Sequence, residues 1–143
     1  MTPVDVLRHG SAPALAQAAA ARLMTTIVER QSSGGRANVV LTGGGIGTDV
    51  LAQLAASPGR DAIDWSAVDI WWGDERFCPS GDPDRNETGA RTALLSQVPV
   101  DPARVHPIPG PDVVPTAERA AEEYAALLAA HAHPHERGRS EEH

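Results

Sequence analysis

One cysteine, few aromatic residues and no long apolar run set the first limits on this chain of 143 residues. With Cys78 alone, no intrachain disulfide can form, and a lone thiol fits a reducing compartment such as the cytoplasm. No stretch approaches the roughly 20 apolar residues of a membrane-spanning helix. The N-terminus also lacks the basic segment followed by an apolar one that marks a secretory signal. Basic residues are in the minority, 12 Lys and Arg against 19 Asp and Glu, for a formal net charge of −7. That balance argues against nucleic acid or an anionic membrane as a partner, since either needs a basic face. Three Trp, one Tyr and one Phe leave the core to Ala, Val and Leu, packed through closely approaching elements. What is present is ordinary for one globular domain: 41% hydrophobic and 22% charged residues.

The order of elements is legible from periodicity and punctuation. Residues 12–31 read as a helix, with Ser11 as N-cap, Pro13 in the first turn, and Leu15, Ala19, Leu23 and Ile27 as its apolar stripe. Ser32 to Gly35 end it. Residues 37–42, ANVVLT, are short, apolar and β-branched, which suits a strand buried on both faces. Gly43-Gly44-Gly45 follows at once, and a helical pattern resumes from Thr48 to Ala56. Strand, glycine turn and helix open a βαβ unit. A second strand is expected over Val68 to Trp72, then loop at 78–84, then a helix from about Arg85 to Gln97 with Ala90, Leu94 and Leu95 on one side. The proline-rich stretch from Pro99 to Pro115 leaves room only for a short edge strand at Val105 to Ile108. Thr116 caps a last helix running to about Ala130, and residues 131–143 read as a polar, solvated and disordered tail. Strands alternating with helices predict an α/β fold, a parallel sheet flanked by helices, though a thin one.

Three segments carry candidate chemistry. The loop Thr42 to Thr48 can turn backbone N–H groups toward an anion at a helix N-terminus. It is not a nucleotide P-loop, having no Lys after the last glycine, and its spacing does not fit G-x-G-x-x-G. A tight turn between packed elements explains the same glycines. Gly73-Asp74-Glu75-Arg76 lies at the carboxyl end of a predicted parallel strand, where open α/β sheets bind ligands. Asp74 can orient a hydroxyl or a water, and Arg76 can clamp a phosphate or carboxylate. A solvated strand end with a local Glu75–Arg76 pair is the alternative. Asp82-Pro83-Asp84-Arg85-Asn86 reads first as turn and cap residues.

In combination, TGGG, IDWSAVDIWWGDERF and DPDRNETGARTALLSQVPVDPARVHPIPG resemble the N-terminal half of the 6-phosphogluconolactonase family, over about residues 5–130. The resemblance implies a parallel α/β fold shared with glucosamine-6-phosphate deaminases and ribose-5-phosphate isomerases. It further implies hydrolysis of 6-phosphogluconolactone in the oxidative pentose phosphate pathway, with no metal and no organic cofactor. A small sugar phosphate would be the partner. Gly43, Gly44 and Gly45 then match the sugar-phosphate loop, with Thr48 nearby, although Gly45-Ile46-Gly47 stands where many members have Ser-Thr-Pro. Asp74 and Arg76 match the GDER motif as active-site acid and substrate contact. Asn86 matches the asparagine of a Ser-Asn pair whose serine is here Arg85, a cation free to help an anionic substrate or to face solvent.

The family's Gly-x-Gly-x-Asp-Gly-His segment, whose histidine is the expected general base, is not found in this chain. A truncated or frameshifted reading frame is the expectation that follows. A catalytically inactive fragment, binding sugar phosphate weakly or serving only as an interaction partner, is the alternative function. Isomerisation or deamination is a third reading that WWGDERF and RNETGARTALL disfavour. An incomplete sheet also predicts self-association. His106 has no assigned role in its family loop, Cys78 reads as packing, and alternating His131, His133 and His135 read as solvated tail, with weak metal binding as the lesser option.

Overall fold

A computed structural model describes the backbone of residues 12–142 and the side chains of residues 13–131. Helix α1 is Ala12–Ser32, strand β1 Ala37–Leu41, helix α2 Gly44–Ala56, strand β2 Val68–Trp72, helix α3 Asn86–Ala93 and helix α4 Ala117–Glu142. Ser11 lies outside the described residues. Helix α1 stops where glycine allows it. Gly34 turns left-handed at φ 80°, and the N–H groups of Gly34 and Gly35 close onto the carbonyls of Gln31 and Arg30.

The two strands pair in parallel, Ala37 opposite Val68 through Leu41 opposite Trp72, which bears out the α/β reading. Helices α1 and α2 cover one face. Ala20 and Ile27 of α1, Leu51 and Leu54 of α2, and Val39, Leu41, Val68, Ile70 and Trp72 of the sheet form one cluster, extended by Leu94, Leu95 and Val105. The buried residues of α1 are Ala16, Ala20 and Ile27, so its inner face is rotated slightly from the predicted stripe.

Strand β2 is buried on both sides, and β1 is not. Asn38 and Val40 face outward, Val40 60% exposed, where burial of both faces was expected. The difference lies in what covers the second face. Helix α4 reaches Trp71, whose ring meets Tyr124 and His131, and leaves β1 bare on that side among the described residues.

The predicted edge strand at Val105 to Ile108 shrinks to one bridge, Val105 beside Ile70, with the His106 N–H donating to the Ile70 carbonyl at 2.9 Å. Pro107 and Pro109 carry no N–H with which to continue a ladder. Helix α3 ends at Ala93 rather than Gln97 because Leu94 leaves helical geometry, and a 3-10 turn takes Leu95–Gln97. Thr116 caps α4 as expected, its hydroxyl accepting from Arg119 N–H at 3.1 Å. The backbone of α4 continues helical to Glu142, through the stretch read as tail.

Candidate active site

Both strands point their carboxyl ends at one open cleft of about 560 Å³, lined by Thr42, Gly43, Gly44, Gly73, Asp74, Arg76 and Asn86. Five of the seven residues expected at a site meet there: Gly43, Gly44, Asp74, Arg76 and Asn86. Gly45 and Thr48 are set back in α2. The Thr48 hydroxyl is half-buried and donates to the Gly44 carbonyl at 3.0 Å, so it is turned along the helix.

The glycine loop owes its shape to close approach. Helix α2 begins at Gly44, four residues earlier than its helical pattern suggested, and Gly43 precedes it with no side chain to cap it. The first-turn N–H groups are therefore available to an anion in the cleft. Gly44 takes φ 88°, which favours glycine. At Gly43 a Cβ would overlap the Asn86 carboxamide. Asn86 Nδ2 in turn donates to the Asp74 carbonyl at 3.1 Å, tying loop, strand end and α3 together. Gly43→Ala is expected to push Asn86 aside and destabilise the fold by about 1–3 kcal/mol, the usual range for overpacking. A lowered denaturant midpoint would register it; an unchanged one would show that Asn86 moves freely.

The three charges after Gly73 divide their work. Asp74 and Arg76 are exposed and face the cleft. Arg76 makes no side-chain ion pair among the described residues. Glu75 turns inward with a side chain only 2% exposed. One of its oxygens accepts from the N–H groups of Asn86 at 2.6 Å and Arg76 at 2.9 Å, and the other from Glu87 N–H at 2.9 Å. Glu75 thus caps α3 from eleven residues upstream of its first turn, instead of forming the Glu75–Arg76 side-chain pair weighed as the alternative. The N-cap residue itself, Arg85, supplies no side-chain cap.

Arg85 corrects both roles offered for it. Its side chain is 1% exposed, away from solvent and cleft alike. Nη2 binds Glu87 at 2.5 Å and the Ile108 carbonyl at 2.9 Å, and lies 3.8 Å from Glu75; Nη1 reaches the Cys78 carbonyl at 3.2 Å. The guanidinium holds together two loops and α3 beneath the cleft. Sequence reasoning missed this, and the one available signal was a Glu on either side, at 75 and 87, within reach of an Arg.

A second polar group lies on the β2 face under α4. Burial opposes ionisation of Asp69, but hydrogen bonds from Arg36 and His106 and the charges of Arg36 and Arg104 outweigh it, holding the carboxyl below its ordinary range. Tyr124 also bridges here. Its hydroxyl accepts from Trp72 N–H at 2.9 Å and donates to the His106 carbonyl at 2.7 Å, and burial raises its pKa.

Comparison with known proteins agrees with this architecture. The chain is 56% identical over 123 residues to a 6-phosphogluconolactonase of Streptomyces coelicolor, covering 85% of this chain and 47% of that protein. It is 44% identical over 119 residues to one of Mycobacterium leprae, again covering 47% of the relative. The chain spans about half the length of the curated relatives it matches. Among solved structures, a 6-phosphogluconolactonase from Shewanella baltica superposes with a TM-score of 0.68 at 26% identity, over 83% of this chain and 48% of that one. No helix among the described residues is long and apolar enough to cross a membrane. Residues 10–141 match the family described as glucosamine-6-phosphate isomerases/6-phosphogluconolactonase, and the chain belongs to that family.

Proposed function

We propose that the cleft is the sugar-phosphate side of a site that hydrolyses 6-phosphogluconolactone to 6-phosphogluconate, in the cytoplasm and as part of the oxidative pentose phosphate pathway. One observation carries the reading. Three separate segments bring Gly43 and Gly44, Asp74 and Arg76, and Asn86 to a single opening at the carboxyl ends of parallel strands. The N–H groups at the start of α2 and the Arg76 guanidinium suit a phosphate, which is anionic and accepts several hydrogen bonds. Gly45 and Thr48 contribute through α2, behind the opening. Asp74 is free to accept from a sugar hydroxyl or hold the attacking water, and the Asn86 carboxamide fixes the backbone that carries it.

Ester hydrolysis adds water to the lactone carbonyl and expels the ring oxygen, a sequence served by a base near neutral pKa. No histidine with a described side chain lines the cleft. On a second reading, this chain binds a sugar phosphate and leaves the proton transfer undone.

Hydrolysis of freshly generated 6-phosphogluconolactone, measured against its spontaneous rate, separates the two. On the first reading the chain accelerates the reaction, and Asp74→Asn lowers that acceleration about 10²-fold, the scale of a lost positioning contact. On the second, the folded chain binds 6-phosphogluconate in equilibrium dialysis and gives no acceleration. Neither rate nor binding would sink both.

A further inference from the structure

Asp69, His106 and His131 converge on the sheet face opposite α1 and α2, where β2, the bridge segment and α4 meet. One ligand atom from each lies within 4.8 Å of the others. We propose that these three residues bind a divalent transition-metal ion of the zinc type, clasping α4 to β2.

The Asp69–His106 spacing fits such an ion. Asp69 Oδ1 and His106 Nε2 are 3.2 Å apart, close to the separation that bonds of about 2.0–2.2 Å and a tetrahedral angle impose on two ligands. The His131 ring stands edge-on to His106, centroids 4.7 Å apart at 66°, so it completes a three-cornered set without stacking over its neighbour. The remaining corner opens toward solvent at exposed His131 and suits a water.

The surroundings fix these ligands. Trp71 stacks on the His106 ring at 4.0 Å and 21°, holding its plane, and meets His131 edge-on at 5.1 Å. Arg36 Nη2 at 2.7 Å and Arg104 Nη1 at 3.3 Å occupy Asp69 Oδ2, leaving Oδ1 turned to the imidazoles as a one-oxygen ligand. Those two cations oppose a third, so affinity is moderate. Two imidazoles and one carboxylate select Zn²⁺, Co²⁺, Ni²⁺ or Cu²⁺ over Mg²⁺ and Ca²⁺, which prefer oxygen shells.

The site is structural and separate from the cleft. Asp69 lies four residues before Gly73 along β2, about 13 Å at the rise of a strand. Hydrolysis therefore neither requires the ion nor reports on it.

Calorimetric titration of tag-free, chelator-stripped protein with ZnCl₂ tests the proposal, with Co²⁺ absorption as a check on coordination. The expected result is one Zn²⁺ per chain, weakened about tenfold or more by His131→Ala. The double variant His133→Ala/His135→Ala is expected to bind as the parent does, and Mg²⁺ to compete with neither. Circular dichroism confirms that each variant is folded; His131 is exposed, so its replacement leaves the core intact. Binding as tight in His131→Ala as in the parent, binding lost with the double variant, or no Zn²⁺ uptake by the parent would each overturn it.

Discussion

Arg85→Ala is expected to cost about 3–5 kcal/mol of stability, the range for removing one partner of a buried ion pair. Several separate losses converge on that value. Glu87 loses a contact of 2.5 Å, and Glu75 loses a cation 3.8 Å away while its own side chain stays out of water. The Ile108 and Cys78 carbonyls lose their donors at 2.9 and 3.2 Å. Alanine would also leave a void in a layer where Gly110 already presses against Cys78 and the guanidinium. Arg85→Lys should recover part of the loss, because it restores the charge without the planar fork that serves several acceptors at once. Urea denaturation followed by circular dichroism reads both variants. A midpoint for Arg85→Ala close to the parent's would mean that the network contributes little beyond its own desolvation.

Glu75→Gln is the second large effect, expected at about 1.5–3 kcal/mol for hydrogen bonds to a charged group. The glutamine keeps the shape and one acceptor oxygen. Its amide group must then face either Glu87 N–H or the N–H groups of Asn86 and Arg76, donor against donor. The positive end of α3 loses its anion, and Arg85 loses part of its counter-charge. The consequence reaches the cleft, since Asn86 is both the first residue of α3 and the donor to Asp74. Weaker 6-phosphogluconate binding is therefore expected together with the lower midpoint. Arg91→Ala provides the comparison: it breaks a half-exposed pair with Glu87 at 2.8 Å and should shift the midpoint far less. Equal shifts in the two variants would remove the special role of Glu75.

These two residues also mark where sequence reasoning stops. Strand β2 was legible to the residue, Val68 to Trp72, because an apolar run between a turn and a glycine has one natural reading. The cleft was legible in outline, since Gly43, Asp74 and Asn86 each sit at the end of a recognisable element. The start of α2 was not, because glycines 44, 45 and 47 are poor helix formers and the local pattern points later, to Thr48. The burial of Arg85 was not either. A charged residue beside two turn-forming aspartates looks solvated, and its partners at 75, 78, 87 and 108 become neighbours only when the chain folds. The same holds for Asp69 and His131, sixty-two positions apart and brought together by α4.

Tyr124 has a further consequence. In a parallel ladder that already pairs His106 N–H with the Ile70 carbonyl, the next rung would join Trp72 N–H to the His106 carbonyl. The Tyr124 hydroxyl occupies that rung, accepting from one group and donating to the other. A single phenol oxygen acts as a spacer in the sheet, satisfying both backbone groups while forcing the two chains apart by its own width. Below it Val105 runs beside β2; above it the chain veers off through Pro107 and Pro109. The space so opened is the groove of about 390 Å³ between Gly73 to Phe77, Ile108, Pro109 and α4, which adjoins the cleft at Asp74. The opening beside the proposed active site is thus bounded by a side chain interleaved in the hydrogen-bond ladder.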